Sequence, residues 1–291
     1  MNFRVGFHVS IAGGIQNSVS NAVNIGCTAF QIFTRSPRGW AERKLIDTEI
    51  ESFRDSLKKS GIQKKSVTVH MPYLPNLSGP DNEIYEKSKI SFKNELIRCS
   101  RLGIEYLVIH LGSHRGQGKN NGTKQLSKSC EEAIDNYKSD FKRKLNVTIL
   151  LENSAGQKDS IGSTLEDLRE ILDNLSSKTF GVCLDTCHAF ASGYDLKTAN
   201  ACNKFIERFD DIVGLNVLKF IHLNDSKGDI GSHLDRHEHI GLGKIGIEGL
   251  KTVLNINSLK DLPVIMETPI DSIRDNSKNL EVVLNLRNKY N

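Results

Sequence analysis

Seven residues with metal-binding side chains close short apolar runs in this 291-residue chain: His8, His70, His110, Glu152, Asp185, His222 and Glu267. The runs are Arg4–His8, Val67–His70, Tyr106–His110, Val147–Glu152, Phe180–Asp185, Lys219–His222 and Pro263–Glu267; an eighth, Ala29–Phe33, has no such end. Imidazoles and carboxylates without thiolates suit Zn²⁺, Mn²⁺ or Fe²⁺. The last six ends hold three imidazoles and three carboxylates, more than one catalytic ion takes from protein. A carboxylate shared between two ions accounts for the excess, and paired ions about 3.5–4 Å apart serve phosphoryl chemistry. One histidine at a strand end is ordinarily a satisfied polar residue, whereas six residues at corresponding positions read as one site. His8 is expected to hydrogen-bond a ligand rather than to be one. His188 lies three residues after Asp185, and with Asp235 and His237 it forms a two-imidazole, one-carboxylate set for a further ion with an open position. His233 and His239 are the rival ligands there.

These residues need elements to bring them together. The runs end at 8, 33, 70, 110, 152, 185, 222 and 267, at intervals of 25 to 45 residues. That is the rhythm of strand, loop, helix and loop repeated eight times, which predicts a (β/α)₈ TIM barrel formed by a single domain, 1–291. All strand ends of such a barrel converge on one face. Helices are expected at Gly14–Ile25, Asp47–Lys59 with Asp47 as N-cap, Asn82–Leu102 and Lys124–Asn136. Four more are expected at Thr164–Leu172, opened by a Ser163–Glu166 capping box, and at Thr198–Arg208, Ile247–Leu254 and Asp275–Lys289. The connections Met71–Pro80 and Asn224–Gly243 exceed the usual 2–6 residues, and long loops on this face are usually functional.

A net charge of +4 and a pI near 8.6 permit a polyanionic partner without demanding one. Arg35, Arg38, Arg43 and Lys44 gather in an early loop; Lys58, Lys59, Lys64 and Lys65 read as a solvated helix face. No apolar run reaches the roughly 20 residues of a membrane span. The N-terminus leads straight into the first strand, so no signal peptide is expected; a cytoplasmic monomer with six reduced, buried cysteines is. Gly241-Leu242-Gly243-Lys244-Ile245-Gly246 matches the dinucleotide-binding glycine pattern literally, but it follows a polar stretch and not a strand, so that reading is rejected.

The pattern resembles the endonuclease IV family of apurinic/apyrimidinic endonucleases over essentially the whole chain. The resemblance rests on Gly6-Phe7-His8-Val9-Ser10, Arg38-Gly39-Trp40, His70-Met71-Pro72-Tyr73-Leu74-Pro75-Asn76-Leu77, Val108-Ile109-His110-Leu111-Gly112-Ser113-His114 and Leu150-Leu151-Glu152-Asn153. It continues through Gly181-Val182-Cys183-Leu184-Asp185-Thr186-Cys187-His188, His222-Leu223-Asn224-Asp225-Ser226, Asp235-Arg236-His237 and Glu267-Thr268-Pro269. A local departure is Met71-Pro72 before Tyr73. The resemblance implies three Zn²⁺, with Mn²⁺ or Fe²⁺ possible at some sites. His70, His110 and a bridging Glu152 match the ligands of one ion. Glu152, Asp185, His222 and Glu267 match those of the second, and His188, Asp235 and His237 those of the third. It further implies incision of duplex DNA 5′ to abasic sites, leaving a 3′-hydroxyl and a 5′-deoxyribose phosphate, together with removal of 3′-blocking groups. Glu152 would orient or deprotonate the attacking water. Arg38, Tyr73 and Leu74 fall where the family inserts side chains into DNA; an apolar wedge and a cation suit that task. The competing reading is a sugar isomerase or epimerase similar to xylose isomerase, which would use Glu152, Asp185, His222 and Glu267 but has no need of His70, His110 or the Asp235-Arg236-His237 loop.

Overall fold

The computed structural model describes residues 3–142, 144–175 and 179–287. Eight parallel strands close into a barrel: β1 (Val5–His8), β2 (Ala29–Ile32), β3 (Val67–His70), β4 (Tyr106–His110), β5 (Thr148–Glu152), β6 (Phe180–Asp185), β7 (Leu218–His222) and β10 (Val264–Met266). Each neighbours the next in sequence, and β10 closes on β1, as the expected TIM barrel requires. Helices α1 (Asn17–Ile25), α2 (Asp47–Ser60), α3 (Asn82–Leu102), α4 (Lys119–Phe141), α5 (Leu165–Asp173), α7 (Ala199–Ile212), α8 (Gly246–Asn255) and α9 (Asn276–Leu286) connect them. Among the described residues no helix is long and apolar enough to cross a membrane.

The alternation of side chains along each strand builds two cores and aims the polar ends. Ala29, Val108, Leu150, Cys183, Phe220 and Ile265 form a buried cluster that fills the barrel. Residues of the opposite parity, such as Leu107, Ile109, Ile149, Leu151, Val182 and Leu184, join the larger cluster beneath the helices. Successive strand residues point to opposite faces, so a position two residues past the interior layer faces the barrel axis at its C-terminal mouth. Those positions are Gln31, His110, Glu152, Asp185, His222 and Glu267. Strand register then puts His110 beside Glu152 and Asp185 beside His222.

Local chemistry sets most helix ends as the pattern predicts. Left-handed Gly26 and Gly103 stop α1 and α3, their N–H groups turning back to carbonyls of the last turn. Four helix starts differ from expectation, the first being α1, which begins at Asn17 and not at Gly14. The N–H of Ile46 is taken by Glu49, so Asp47 is the first helical residue of α2 and its carboxylate meets Arg101 instead. Thr164, not Ser163, caps α5, accepting from the Asp167 N–H. α4 begins at Lys119, five residues early, after Gly118. The helix expected over Asp275–Lys289 ends at Leu286, where Arg287 turns extended; residues 288 and 289 lie outside the described residues. All six cysteines are free and buried.

A helix and a strand pair that the sequence did not foresee serve the mouth of the barrel. A six-residue helix, α6 (Thr186–Ala191), follows β6 directly. The long loop after β7 folds into an antiparallel pair, β8 (Asp225–Ser226) with β9 (His237–Glu238). Asp225 anchors this loop: its buried carboxylate accepts from the N–H groups of Ser226, Gly241, Gly243, Ile245 and Gly246. The glycine-rich segment therefore cradles a carboxylate of its own chain, where a nucleotide-binding loop would cradle phosphate.

Candidate metal centre and active site

Glu152 stands at the middle of the mouth, buried, with its two oxygens divided between different imidazoles. Oε2 lies 3.1 Å from His70 Nε2 and 3.2 Å from His110 Nε2. Oε1 lies 2.9 Å from His222 Nδ1. Around His222 Nδ1, Glu267 Oε2 stands at 3.5 Å and Asp185 Oδ2 at 3.9 Å. On the far side, Asp235 Oδ1 is 3.2 Å from His188 Nε2 and 3.5 Å from His237 Nε2, and Asp185 Oδ2 is 3.8 Å from His237 Nε2. All nine expected ligands thus converge. They group as His70 with His110 and Glu152, as Glu152 with Asp185, His222 and Glu267, and as Asp185 with His188 and His237. Asp185 takes the carboxylate place in the third group; the expected Asp235 is not in it, although its Oδ1 lies within 3.5 Å of both imidazoles.

Backbone carbonyls decide which ring nitrogens face inward. A carbonyl only accepts, so the nitrogen opposite it carries the proton. His70 Nδ1 donates to Met71 O at 2.7 Å, His188 Nδ1 to Asn153 O at 2.9 Å and His237 Nδ1 to Glu267 O at 3.2 Å. In the neutral ring each Nε2 then holds a lone pair aimed at carboxylate oxygens. His188 Nε2 and His237 Nε2 are buried and have no hydrogen-bond partner; the 3.2 Å approach to Asp235 lacks hydrogen-bond geometry. Lone pairs facing carboxylates repel unless a cation lies between them. A hydrogen-bonded outer nitrogen with a free inner one is the arrangement of metal-ligating histidines, so these residues fit divalent ions.

Charge balance supports the same conclusion. Burial works to raise the Glu152 carboxyl, but His222 and His110 outweigh it and hold the group well below the usual carboxylate range. Burial likewise opposes ionisation of Asp235, yet His188 and His237 bring it down to about 2. Burial would lower His188, but Asp185, Asp235 and Glu152 hold it well above the ordinary histidine value. A site this rich in anions draws in positive charge of any kind.

Local sequence explains the placement of the third set. Asp185 caps α6 by accepting from the His188 N–H at 2.8 Å through Oδ1, while Oδ2 accepts from Asn224 at 2.6 Å. The cap starts a helix at once, and three residues on it returns His188 to the mouth. Asn153 pins this junction by bonding both backbone groups of Asp185. Asp235 and His237 arrive on the β8–β9 hairpin. The rival ligands are occupied elsewhere: His233 Nδ1 sits on Ala155 O, and buried His239 lies between Asp271 and Asn279. His8 belongs to none of the ligand groups and meets Gln31 at 3.0 Å.

Three features eluded the sequence. Gln31 is fully buried among His8, His222 and Glu267; its signal was the two-residue step past Ala29, hidden because the run ends apolar. Asn153 and Asn224 are the other two, each placed just after a strand-end ligand.

Tyr73 and Leu74 stand at the rim, 56% and 39% exposed. The Tyr73 ring lies 5.2 Å from Phe33 and 5.8 Å from His110, over the candidate ligands, and its flank opens into a cavity of about 240 Å³ that reaches Glu152, Arg115 and Lys158. Arg38 is exposed on a turn. Arg35, grouped with it by sequence, is buried: it donates to Glu95, to Ser91 and to the Gly39 carbonyl. Arg98 donates to the Thr34 and Arg43 carbonyls, and Glu95 accepts from the Thr34 hydroxyl at 2.6 Å. Two guanidinia and one carboxylate thereby clamp both ends of the loop that carries Arg38. Burial pushes the Glu95 carboxyl up from its ordinary value, against the pull of Thr34, Arg98 and Arg35.

Residues 19–287 match the family model described as a xylose isomerase-like TIM barrel. A protein named "Probable endonuclease 4" from Nitrosopumilus maritimus is 49% identical, over 95% of this chain and 97% of its own length. Another of that name, from Cenarchaeum symbiosum, is 50% identical over 96% of this chain and 97% of its own. The crystal structure of endonuclease IV from Thermus thermophilus superimposes with a TM-score of 0.85 at 37% identity, covering 97% of this chain and 98% of that one. The chain belongs to the endonuclease IV family of apurinic/apyrimidinic endonucleases.

Proposed function

We propose that this protein repairs DNA by hydrolysing the backbone 5′ to abasic sites in duplex DNA, leaving a 3′-hydroxyl and a 5′-deoxyribose phosphate, and that it also removes 3′-blocking groups. The observation that carries the reading is the division of Glu152 between His70 and His110 on one oxygen and His222 on the other. His70, His110 and Glu152 would hold one ion; Glu152, Asp185, His222 and Glu267 a second; His188, Asp235 and His237 a third. Zn²⁺ suits this donor set, and Mn²⁺ or Fe²⁺ could take some positions. When bound, such ions acidify water and neutralise the charge of a phosphoryl group in displacement.

Glu152 is held ionised and lines the cavity at the mouth, so its carboxylate can hold a water in line with the phosphorus and accept its proton. Asp235 and His188, across the mouth, face the side from which the 3′-oxygen would depart. A backbone phosphate reaches this depth only if the duplex bends and the lesion leaves the stack, which costs least where a base is missing. Tyr73 and Leu74, exposed beside the mouth, would fill the gap as apolar wedges, and Arg38 would hold the phosphates. The same reading makes the enzyme a cytoplasmic monomer.

The decisive test is incubation of purified, metal-replete protein with a duplex carrying one abasic-site analogue, without added Mg²⁺. Incision on the 5′ side with a 3′-hydroxyl is expected. No incision, with metal content verified, would overturn the reading in favour of sugar isomerisation.

A further inference from the structure

Gln31 is the one inward-facing residue at the C-terminal ends of the strands discussed above that is polar yet cannot ionise, and it is fully buried. Its amide makes three contacts of fixed polarity. Oε1 can only accept, so His222 Nε2, 3.0 Å away, carries a proton and donates it. Nε2 has two protons: one goes to Glu267 Oε1 at 2.7 Å, the other to His8 Nδ1 at 3.0 Å. As a neutral ring with its one proton on Nε2, His222 presents the Nδ1 lone pair to Glu152, Asp185 and Glu267. With Oε1 engaged, Glu267 turns Oε2 toward the same nitrogen, at 3.5 Å.

We infer that Gln31 is a positioning residue for the ion held by Glu152, Asp185, His222 and Glu267, setting the His222 tautomer and the Glu267 rotamer through one amide. The inference rests on the ligand reading above. Only a carboxamide offers an acceptor and two donors on one planar group, and asparagine's sits one methylene shorter. An alcohol lacks the reach; a carboxylate would oppose Glu267 where the amide donates. Burial keeps water from substituting for the lost bonds. Removing a partner of this kind typically weakens metal affinity roughly ten- to hundredfold.

The test uses Gln31→Met, which preserves length and volume without the amide. Zinc-loaded wild type and variant are titrated with a competing chelator while bound zinc is counted. One ion released at roughly ten- to hundredfold lower chelator strength, the others unchanged, is the expected result. Wild-type affinity at every site overturns the inference, as does equal weakening of all sites, which would mark a general packing role. A wild-type protein that holds no zinc overturns the ligand reading, and this inference with it. A second measurement needs no variant: histidine nitrogen NMR of the zinc-loaded wild type should show His222 protonated on Nε2. Protonation on Nδ1 would overturn it.

Discussion

Replacing Glu95 by alanine should destabilise the protein through the buried clamp beneath the Arg38 loop while leaving its metals in place. Glu95 is fully buried, accepting from Arg35 Nε at 3.1 Å and from the Thr34 hydroxyl at 2.6 Å. Without it two guanidinia remain, 5% and 8% exposed, with only the more distant Glu42, 3.5 Å from Arg35 Nε, as a counter-charge. Breaking a buried ion pair by removing one partner costs about 3–5 kcal/mol. Unfolding entropy near the midpoint is about 2.1 cal/mol/K per residue, so for 291 residues the melting temperature should drop by roughly 5–8 °C. Calorimetry at saturating zinc reads this directly, and Glu95→Gln, which keeps one acceptor oxygen, should fall between the two. Because Glu95 touches none of the candidate ligands, zinc content should not change. Affinity for abasic duplex should fall, because the Thr34, Gly39 and Arg43 carbonyls lose well-placed donors and the loop loosens. A melting temperature within about 2 °C of wild type would refute the claim that this charge cluster organises the loop.

Glu152→Gln should abolish incision while lesion binding, followed by fluorescence anisotropy, stays measurable; substantial turnover would remove Glu152 from its central role. Replacing Asp235 and His237 together by alanine should lower the zinc count by about one ion, as atomic absorption would show, and an unchanged count contradicts the third set. Leu74→Ala should narrow the preference for abasic over intact duplex more than it alters zinc content, and an unchanged preference assigns Leu74 to loop packing. The melting-temperature gap between zinc-loaded and chelated protein should widen from pH 6 to 8. In the metal-free fold His188 and His222 are held above the ordinary value, so the stability they contribute is present below about pH 6.5 and lost as pH rises through their raised values. Glu152 and Glu267 are held low and contribute above about pH 4.5, a contribution lost only in stronger acid. Ions replace the departing protons; a gap constant across this range would mean the histidines do not face the ions.

Much of this molecule was legible in the sequence because its site is built on strands. A strand's side chains alternate with a period of two and its end is marked by the end of an apolar run. His110, Glu152, Asp185, His222 and Glu267 could therefore be placed at one height of one barrel without any structure. Gln31 escaped because Phe33, not Gln31, ends its run; what identifies it is the interior layer two residues below, and Ala29 belongs to that layer only once the barrel closes. Tautomers were likewise beyond reach: that His188 aims Nε2 inward depends on the Asn153 carbonyl, 35 residues away, arriving opposite Nδ1. Arg35 and Arg38 look alike as a basic pair, yet Glu95 on α3 draws one inside and leaves the other for a partner. Composition and periodicity determine which residues can share a face, since these follow from local geometry. Which of two arginines is buried, which ring nitrogen carries the proton and which amide holds a ligand are settled by groups remote in sequence, and only packing brings those together.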